Sequence, residues 1–187
     1  MTNSNPSQQS VLNNASKDKF ILVLDLPAVL KPEFNIDVLE FKIFGTIIPA
    51  IQTVPHDAPF GGQSYNVTGF TRPPYQPLTV NYVVDNRFSN WYILWKWIDL
   101  QNTAMESLYG GSEFEPKLQS IKEYQSTFTT YHIDEYNQKT LSINYTDVFP
   151  IMLGSVEYSY RDPTQLESSV TFQFNRLLPT RIPASVI

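Results

Sequence analysis

Residues 77–103 read PLTVNYVVDNRFSNWYILWKWIDLQNT and contain the clearest strand-to-helix transition of the chain. In the first part Leu78, Val80 and Tyr82 alternate with polar side chains. This two-residue period is that of a pleated strand with one buried face. The stretch therefore predicts a β-strand over 78–84 that leads directly into a helix.

The helix is the only segment of the sequence with a strong three-to-four-residue period. Asp85 or Asn86 can cap it, and we expect it to run through Trp97 to about Met105. The side chains predicted to pack on a sheet share one face: Phe88, Trp91, Leu94, Trp95 and Ile98. A helix that buries an aromatic stripe against a sheet explains the three tryptophans without a cofactor.

The remaining elements predicted on either side are strands. The apolar run at 20–24 predicts a first strand that is buried on both faces, and alternation predicts a second around 38–48. Further strands are expected near 127–133 and at 141–145, 156–160 and 170–174, the last two joined as a hairpin.

The stretch between the second and third strands has a different composition. Residues 50–76 are rich in Pro, contain Gly61-Gly62, and include the strand-like run Ser64–Thr68. A connection of this length in a compact domain usually serves a function. We interpret it as a long hairpin loop that projects from the core.

The expected organisation is a single β domain over 18–178, which includes a polar insertion at 112–138. A flexible Asn/Ser/Gln-rich arm at 1–17 precedes it and a Pro-containing tail at 179–187 follows it.

Composition favours a β-dominated protein with much surface to bury. Aromatic residues make up 14% of the 187 residues and charged residues 17%, against about 25% charged in typical soluble domains. The net charge of -5 argues against tight nucleic-acid binding, which needs clustered Lys and Arg. No run of apolar residues is long enough to span a membrane as a helix.

Residues able to carry chemistry are few. The chain has no Cys and only two His, which excludes thiolate sites and leaves little for zinc. His56-Asp57 is interpreted as part of a solvated loop, and His132, Asp134 and Glu135 as a surface hydrogen-bonded group. Gly61-Gly62 lacks the setting of a phosphate-binding loop. The sequence predicts no catalytic residue, no cofactor and no metal site, and a protein that is not an enzyme.

The order of the elements resembles the tail tube proteins of contractile-tail bacteriophages, whose fold is shared with the inner-tube protein of type VI secretion systems. Three stretches carry the likeness. They are FKIFGTIIPAIQTVPHDAPFGGQSYNVTG at 41–69, the strand and helix of 77–103, and NYTDVFPIMLGSVEYSYRDPTQLESSVTFQFNRL at 144–177. The last contains a strand, a Phe-Pro bend, a second strand, an acidic turn and a final strand.

The resemblance implies an antiparallel β-sandwich or barrel with one flanking α-helix. It implies six copies that pair strands into a ring, and rings that stack into a hollow tube for the passage of DNA into the host. The partners would be other copies, the tail sheath and the baseplate, with DNA in transient contact and no membrane anchor. The location would be the virion tail, after assembly in the host cytoplasm.

Two sets of residues are candidates for roles in such a tube. The candidate contacts between subunits are Phe60, Gly61, Gly62, Tyr65 and Phe70. The candidate acidic residues of the lumen, which would repel phosphates, are Glu40, Glu157, Asp162 and Glu167.

Other functions remain open from the sequence. A tube-like baseplate initiator or a tail terminator would share the fold, and copy number per particle would separate these from the tube. A β-sandwich carbohydrate-binding module is a further alternative, although the tryptophans concentrate on the predicted helix rather than on a sheet face.

Overall fold

The computed structural model describes residues 14–34, 42–69, 72–109, 123–161 and 164–183. The elements found in these ranges are nine strands and one helix. In chain order they are β1 (Phe20–Val23), β2 (Ile43–Thr46), β3 (His56–Phe60), β4 (Gln63–Val67), β5 (Leu78–Val83), α1 (Ser89–Tyr109), β6 (Ser126–Ile133), β7 (Lys139–Leu153), β8 (Glu167–Gln173) and β9 (Arg176–Arg181).

Seven of the strands form one antiparallel sheet in the order β1-β6-β7-β8-β5-β2, with β9 also paired to β7. The 15-residue strand β7 joins the two halves of this sheet. Its first part pairs with β6 and β9, whereas residues 149–153 pair with β8. The remaining strands, β3 and β4, form a two-stranded sheet of their own. The predicted mainly β, antiparallel fold with one helix and a long hairpin is confirmed.

A bulge lies where β7 changes partners. Val148 pairs with Ser126 and Tyr145 pairs with Phe128, so two residues of β7 oppose one residue of β6. One of the two, Asp147, has a φ of 56°, and its Oδ2 accepts a hydrogen bond of 3.1 Å from the Asn175 side chain. Bulges bend and twist a strand, which allows β7 to serve both halves of the sheet.

The core lies between the two halves of the sheet and the helix. The rings of Phe128 on β6 and Phe172 on β8 meet edge to face with their centroids 4.8 Å apart. Trp97 of α1 lies 6.3 Å from the first ring and 5.9 Å from the second. All three side chains are almost fully buried, so this aromatic cluster joins α1 to both halves of the sheet.

The helix begins as the Asp85 cap predicts. The Ser89 backbone N–H donates to Asp85 Oδ1 over 2.7 Å, which satisfies one of the free donors of the first turn. Between them, Phe88 takes a left-handed φ of 58°, a conformation that is uncommon for a bulky side chain. The turn at Phe88 therefore sets the direction in which the helix leaves β5.

The predicted buried face of the helix is confirmed in part, because Leu94 is buried and Phe88 and Trp91 pack against the core, but it is wrong for Trp95. Over residues 89–101 the buried side chains are Asn90, Ile93, Leu94 and Trp97, whereas Trp95 is 41% exposed. Because the polar residue Asn90 is buried, the helix is turned about its axis. The side of the aromatic stripe that carries Trp95 therefore faces partly away from the core. Trp97 is therefore the most deeply buried of the three tryptophans.

Two strand predictions need correction. β1 is not buried on both faces, because Leu22 is buried whereas Ile21 and Val23, on the opposite face, are 43% and 39% exposed. Residues 156–160 form no strand, since β7 continues through Pro150 and ends only at Leu153. The last residues of β7 pair with β8, and the predicted closing hairpin of 156–160 with 170–174 is replaced by this pairing.

The other predictions match the structure more closely. Leu78, Val80 and Tyr82 of β5 are fully buried, and the strand expected near 127–133 is β6. The boundary expected between the domain and a tail at residue 179 does not match, because it falls inside β9, which pairs with β7.

Candidate assembly surfaces

The β3–β4 hairpin occupies the middle of the predicted projecting loop. The two strands pair from His56 opposite Val67 to Phe60 opposite Gln63. Gly61 and Gly62 form the two-residue turn with φ values of 60° and 79°. Positive φ at both central residues is the geometry of a type I′ turn, which glycine adopts without strain.

Most of the candidate contact residues lie on this hairpin. The structure places Phe60 at the end of β3, Gly61 and Gly62 in the turn, and Tyr65 in β4, where its side chain is 52% exposed. Phe70 lies outside the described residues. A contact between subunits at these positions stays a prediction.

The base of the hairpin is tightly closed. A Cβ atom on Gly69 would lie 1.7 Å from the carbonyl oxygen of Val54, so the two chain segments meet at a distance that only glycine permits. This contact fixes the position at which the hairpin leaves the preceding segment.

β2, the chain that leads into the hairpin, and β4 of the hairpin expose many large apolar side chains. They are Phe44, Ile47, Ile48, Ile51, Val54, Tyr65 and Val67. Single exposed apolar residues are common, but a concentration in one part of the chain is typical of a contact surface. The aliphatic residues of this set were not among the predicted contacts between subunits.

A groove lies beside the base of the hairpin. The chain at 72–75 forms one wall, and the chain at 173–178, where β8 passes into β9, forms the other. The groove has a volume of about 620 Å³. Its two charged residues, Arg72 and Arg176, are far apart in sequence, and sequence reasoning missed their proximity for that reason.

The outer face of α1 carries a second aromatic surface. Tyr92 and Trp95 stack with their ring centroids 5.6 Å apart, and Phe34 meets Tyr92 edge to face at 6.0 Å. Lys96 Nζ donates to Glu33 Oε2 over 2.6 Å. This hydrogen bond raises the pKa of the Lys96 ammonium above its ordinary value.

Five of the described strands have a free edge, two of them in the β3–β4 hairpin and three in the large sheet. β1 and β2 end the sheet, and β9 pairs only with β7. Unpaired N–H and C=O groups at such edges can pair with another chain. In a ring of copies, edge strands of this kind would pair across the contacts between neighbouring copies.

The candidate lumen acids are only partly described. Glu157 lies in the irregular stretch after β7 and Glu167 at the start of β8, and both are exposed. Glu40 and Asp162 lie outside the described residues. Which surface faces a lumen stays a prediction.

His132 and Asp134 take part in local hydrogen bonds. His132 Nδ1 lies 2.9 Å from Thr140 Oγ1. Asp134 accepts backbone hydrogen bonds from Tyr136 and Gln138 in the β6–β7 turn. Among the described residues no three His, Asp or Glu side chains gather as metal ligands. No helix in the described ranges is both long and apolar enough to cross a membrane.

Comparison with protein families matches residues 15–178 to the phage tail tube protein family. The chain belongs to this family. Phage tail tube proteins are structural proteins, and the predicted resemblance is confirmed. Comparison with curated proteins gives no match.

Solved structures similar to this tail tube family member come from contractile systems. The first is a chain of the extended sheath–tube complex of the extracellular contractile injection system PVC. It has a TM-score of 0.63 at 12% identity, with 97% of this chain and 100% of that chain covered. Such a likeness shows a common fold.

Two further similar structures come from the ends of such systems. One is from the PVC sheath/tube terminator, with a TM-score of 0.59, 12% identity and coverage of 90% and 97%. The other is from the baseplate of the anti-feeding prophage, with a TM-score of 0.54, 10% identity and coverage of 90% and 96%.

Proposed function

We propose that this chain is the repeating subunit of a phage tail tube. Six copies form a ring, rings stack into a hollow tube, and DNA passes through the lumen into the host without specific binding. The match of the tail tube family over residues 15–178 is the observation that carries the proposal. The subunit has no catalytic role in this account.

The free edges of the sheet support ring formation. An antiparallel strand at the edge of one copy can pair with an edge strand of the next copy, and closure of the ring removes the exposed edges. β1 and β2 contain four residues each. Short edges limit uncontrolled pairing while the subunit is free.

The exposed apolar side chains between β2 and β4 support contacts beyond strand pairing. Burial of apolar surface is the main favourable contribution to association. Isolated copies would leave Ile48 and Ile51 in water, where they are 58% and 57% exposed. We propose that the hairpin and its flanks are covered by a neighbouring copy.

A contractile sheath around the tube and a baseplate at its end are the expected partners. The likeness to a chain of a sheath–tube complex supports the first of these, and the likeness to a baseplate structure supports the second. The location is accordingly the tail of the virion, and assembly takes place in the host cytoplasm.

A terminator or an initiator of the tube is the second candidate function. The likeness to a sheath/tube terminator and to a baseplate, at TM-scores of 0.59 and 0.54, favours it. The two candidates differ in copy number, because a tube contains many rings and a terminator or initiator forms one. Quantitative mass spectrometry of purified tails separates them. Many six-copy sets per tail support the tube subunit, and about six copies contradict it.

A further inference from the structure

The groove beside the hairpin has a fixed aromatic floor. Tyr75 stacks on Phe174 with ring centroids 5.2 Å apart, and the Gln173 side chain donates to the Tyr75 carbonyl oxygen over 3.2 Å. Phe174 is almost fully buried. These contacts hold the wall of the groove in place before any partner binds, which lowers the entropic cost of binding.

Two guanidinium groups, those of Arg72 and Arg176, stand at this groove. Arg72 Nη1 donates to the Tyr75 hydroxyl over 2.8 Å, which orients the guanidinium over the groove wall. Arg176 lines the same groove and is exposed. The salt bridges found among the described residues involve neither arginine. The two arginines therefore give the groove a positive charge that a carboxylate would match.

The hairpin carries one matching charge. Asp57 is the only acidic residue between 54 and 69, and its side chain is exposed. Within the described ranges it forms no ion pair. The register places it opposite Asn66 and on the same face as Pro59 and Ser64, so one face of the hairpin is polar with a single negative charge.

We propose that the hairpin of one copy docks in the groove of a second copy, with the Asp57 carboxylate between Arg72 and Arg176. This inference rests on the proposed function, because it names the contact through which the copies associate. A hairpin in one place and a groove in another make a head-to-tail contact, which builds rings or open-ended stacks rather than closed dimers.

The volume of the groove is compatible with this contact. At about 620 Å³ it has room for several side chains from one face of the hairpin. The opposite face, with Tyr65 and Val67, stays available for the apolar contacts described above.

Charge reversal tests the pairing. We expect D57R, and separately R72E/R176E, to raise the protein concentration needed for assembly at least about tenfold, since like charges oppose each other at the contact. The triple variant D57R/R72E/R176E restores opposite charges and should assemble near the wild-type concentration. Control variants D99R and R161E change exposed charges elsewhere and should assemble as the wild type does.

Cross-linking supplies a second measurement, which is clean because the chain has no cysteine. An aspartate–arginine pair holds its Cα atoms farther apart than the ~7 Å limit of a disulfide. A short bis-maleimide is therefore applied to D57C/R176C. We expect a ladder of linked copies on a denaturing gel, and no ladder from the control pair D57C/R161C.

The outcomes separate the groove from the proposed function. If the wild type and R72E/R176E assemble at the same concentration, or if D57C/R176C gives no ladder from assembled protein, the groove is not the docking site while the tube function stands. If the wild type itself forms no assembly, both fail. Loss of assembly in D57R and in R72E/R176E, with recovery of assembly in the triple variant, supports the groove as the docking site. Thermal melting of every variant confirms that the monomer is folded.

Discussion

The side-chain amide of Asn90 donates a hydrogen bond of 2.8 Å to the carbonyl oxygen of Val83, and so ties the first turn of α1 to the end of β5. Its Oδ1 also accepts from the backbone N–H of Asp85. The side chain is fully buried. One polar residue therefore closes the strand-to-helix turn on both sides and determines which face of the helix enters the core.

Replacement of Asn90 should lower the free energy of unfolding by more than the small size of its side chain suggests. N90A leaves the Val83 carbonyl and the Asp85 amide without their partner, and we expect a loss of about 1–3 kcal/mol in the free energy of unfolding. Urea denaturation measures this loss. N86A, at an exposed position of the same turn, is the control, and an equal loss in both variants would contradict the role of Asn90.

The two tryptophans Trp97 and Trp95 should differ sharply on replacement. W97A opens a cavity between Phe128 and Phe172 and should cost about 3–5 kcal/mol. W95A removes a half-exposed ring and should cost less than about 1 kcal/mol. Chemical denaturation of both variants measures the difference, and the reverse order would mean that the helix buries the face its aromatic stripe favours.

Gly69 should tolerate no side chain. The Cβ atom of G69A would lie 1.7 Å from the Val54 carbonyl oxygen, so the base of the hairpin must shift. We expect faster amide hydrogen exchange in β3 and β4 with little change in the core strands, because local units open separately. T68A, next to it, is the control. Unchanged exchange in G69A would indicate that the base is not closed in solution.

The buried Tyr82 should make stability depend on pH in the alkaline range. Burial raises the pKa of its phenol, and a contribution from Ser168 acts in the opposite direction. The folded state then keeps a proton that the unfolded chain loses near pH 10. Stability is therefore full below about pH 10 and falls as the pH rises towards the folded-state pKa.

Urea denaturation between pH 8 and pH 11 measures this dependence. Y82F should flatten the alkaline fall in stability, whereas Y158F, at an exposed position, should leave it unchanged. A fall of the same steepness in Y82F would assign the alkaline sensitivity to other groups, among them Tyr145, whose pKa burial also raises.

The hairpin should be dispensable for folding and required for assembly. Because β3 and β4 pair only with each other in the described sheets, replacement of residues 60–65 by a short Gly/Ser linker should leave a folded monomer. Assembly should then be lost. Tubes of normal length from this variant would contradict the role of the hairpin, and circular dichroism confirms the fold.

Much of the fold could be predicted from local patterns. The alternation of Leu78, Val80 and Tyr82, the cap at Asp85 and the turn glycines at 61–62 each fix a conformation within a few residues. The prediction of strands failed where pairing with a segment distant in the sequence decides whether a stretch forms a strand. Residues 156–160 alternate well but have no neighbouring strand, and periodicity alone does not reveal pairing.

The candidate surfaces were predictable to a smaller extent. The hairpin could be predicted because the Pro and Gly content and the length of this connection differ from those of the other connections. The groove was not visible, because Arg72 and Arg176 come together only through the pairing of β8 with β5 and the fold of the chain at 72–75. The burial of Asn90, which turned Trp95 outward, likewise depends on tertiary contacts rather than on the helical period.

The most direct test of the tube account is negative-stain electron microscopy of the purified protein at increasing concentration, with mass photometry on the same samples. The account predicts particles of six times the subunit mass and, at higher concentration, hollow tubes of uniform width. Monomers at every concentration up to the solubility limit, with no rings, would contradict it.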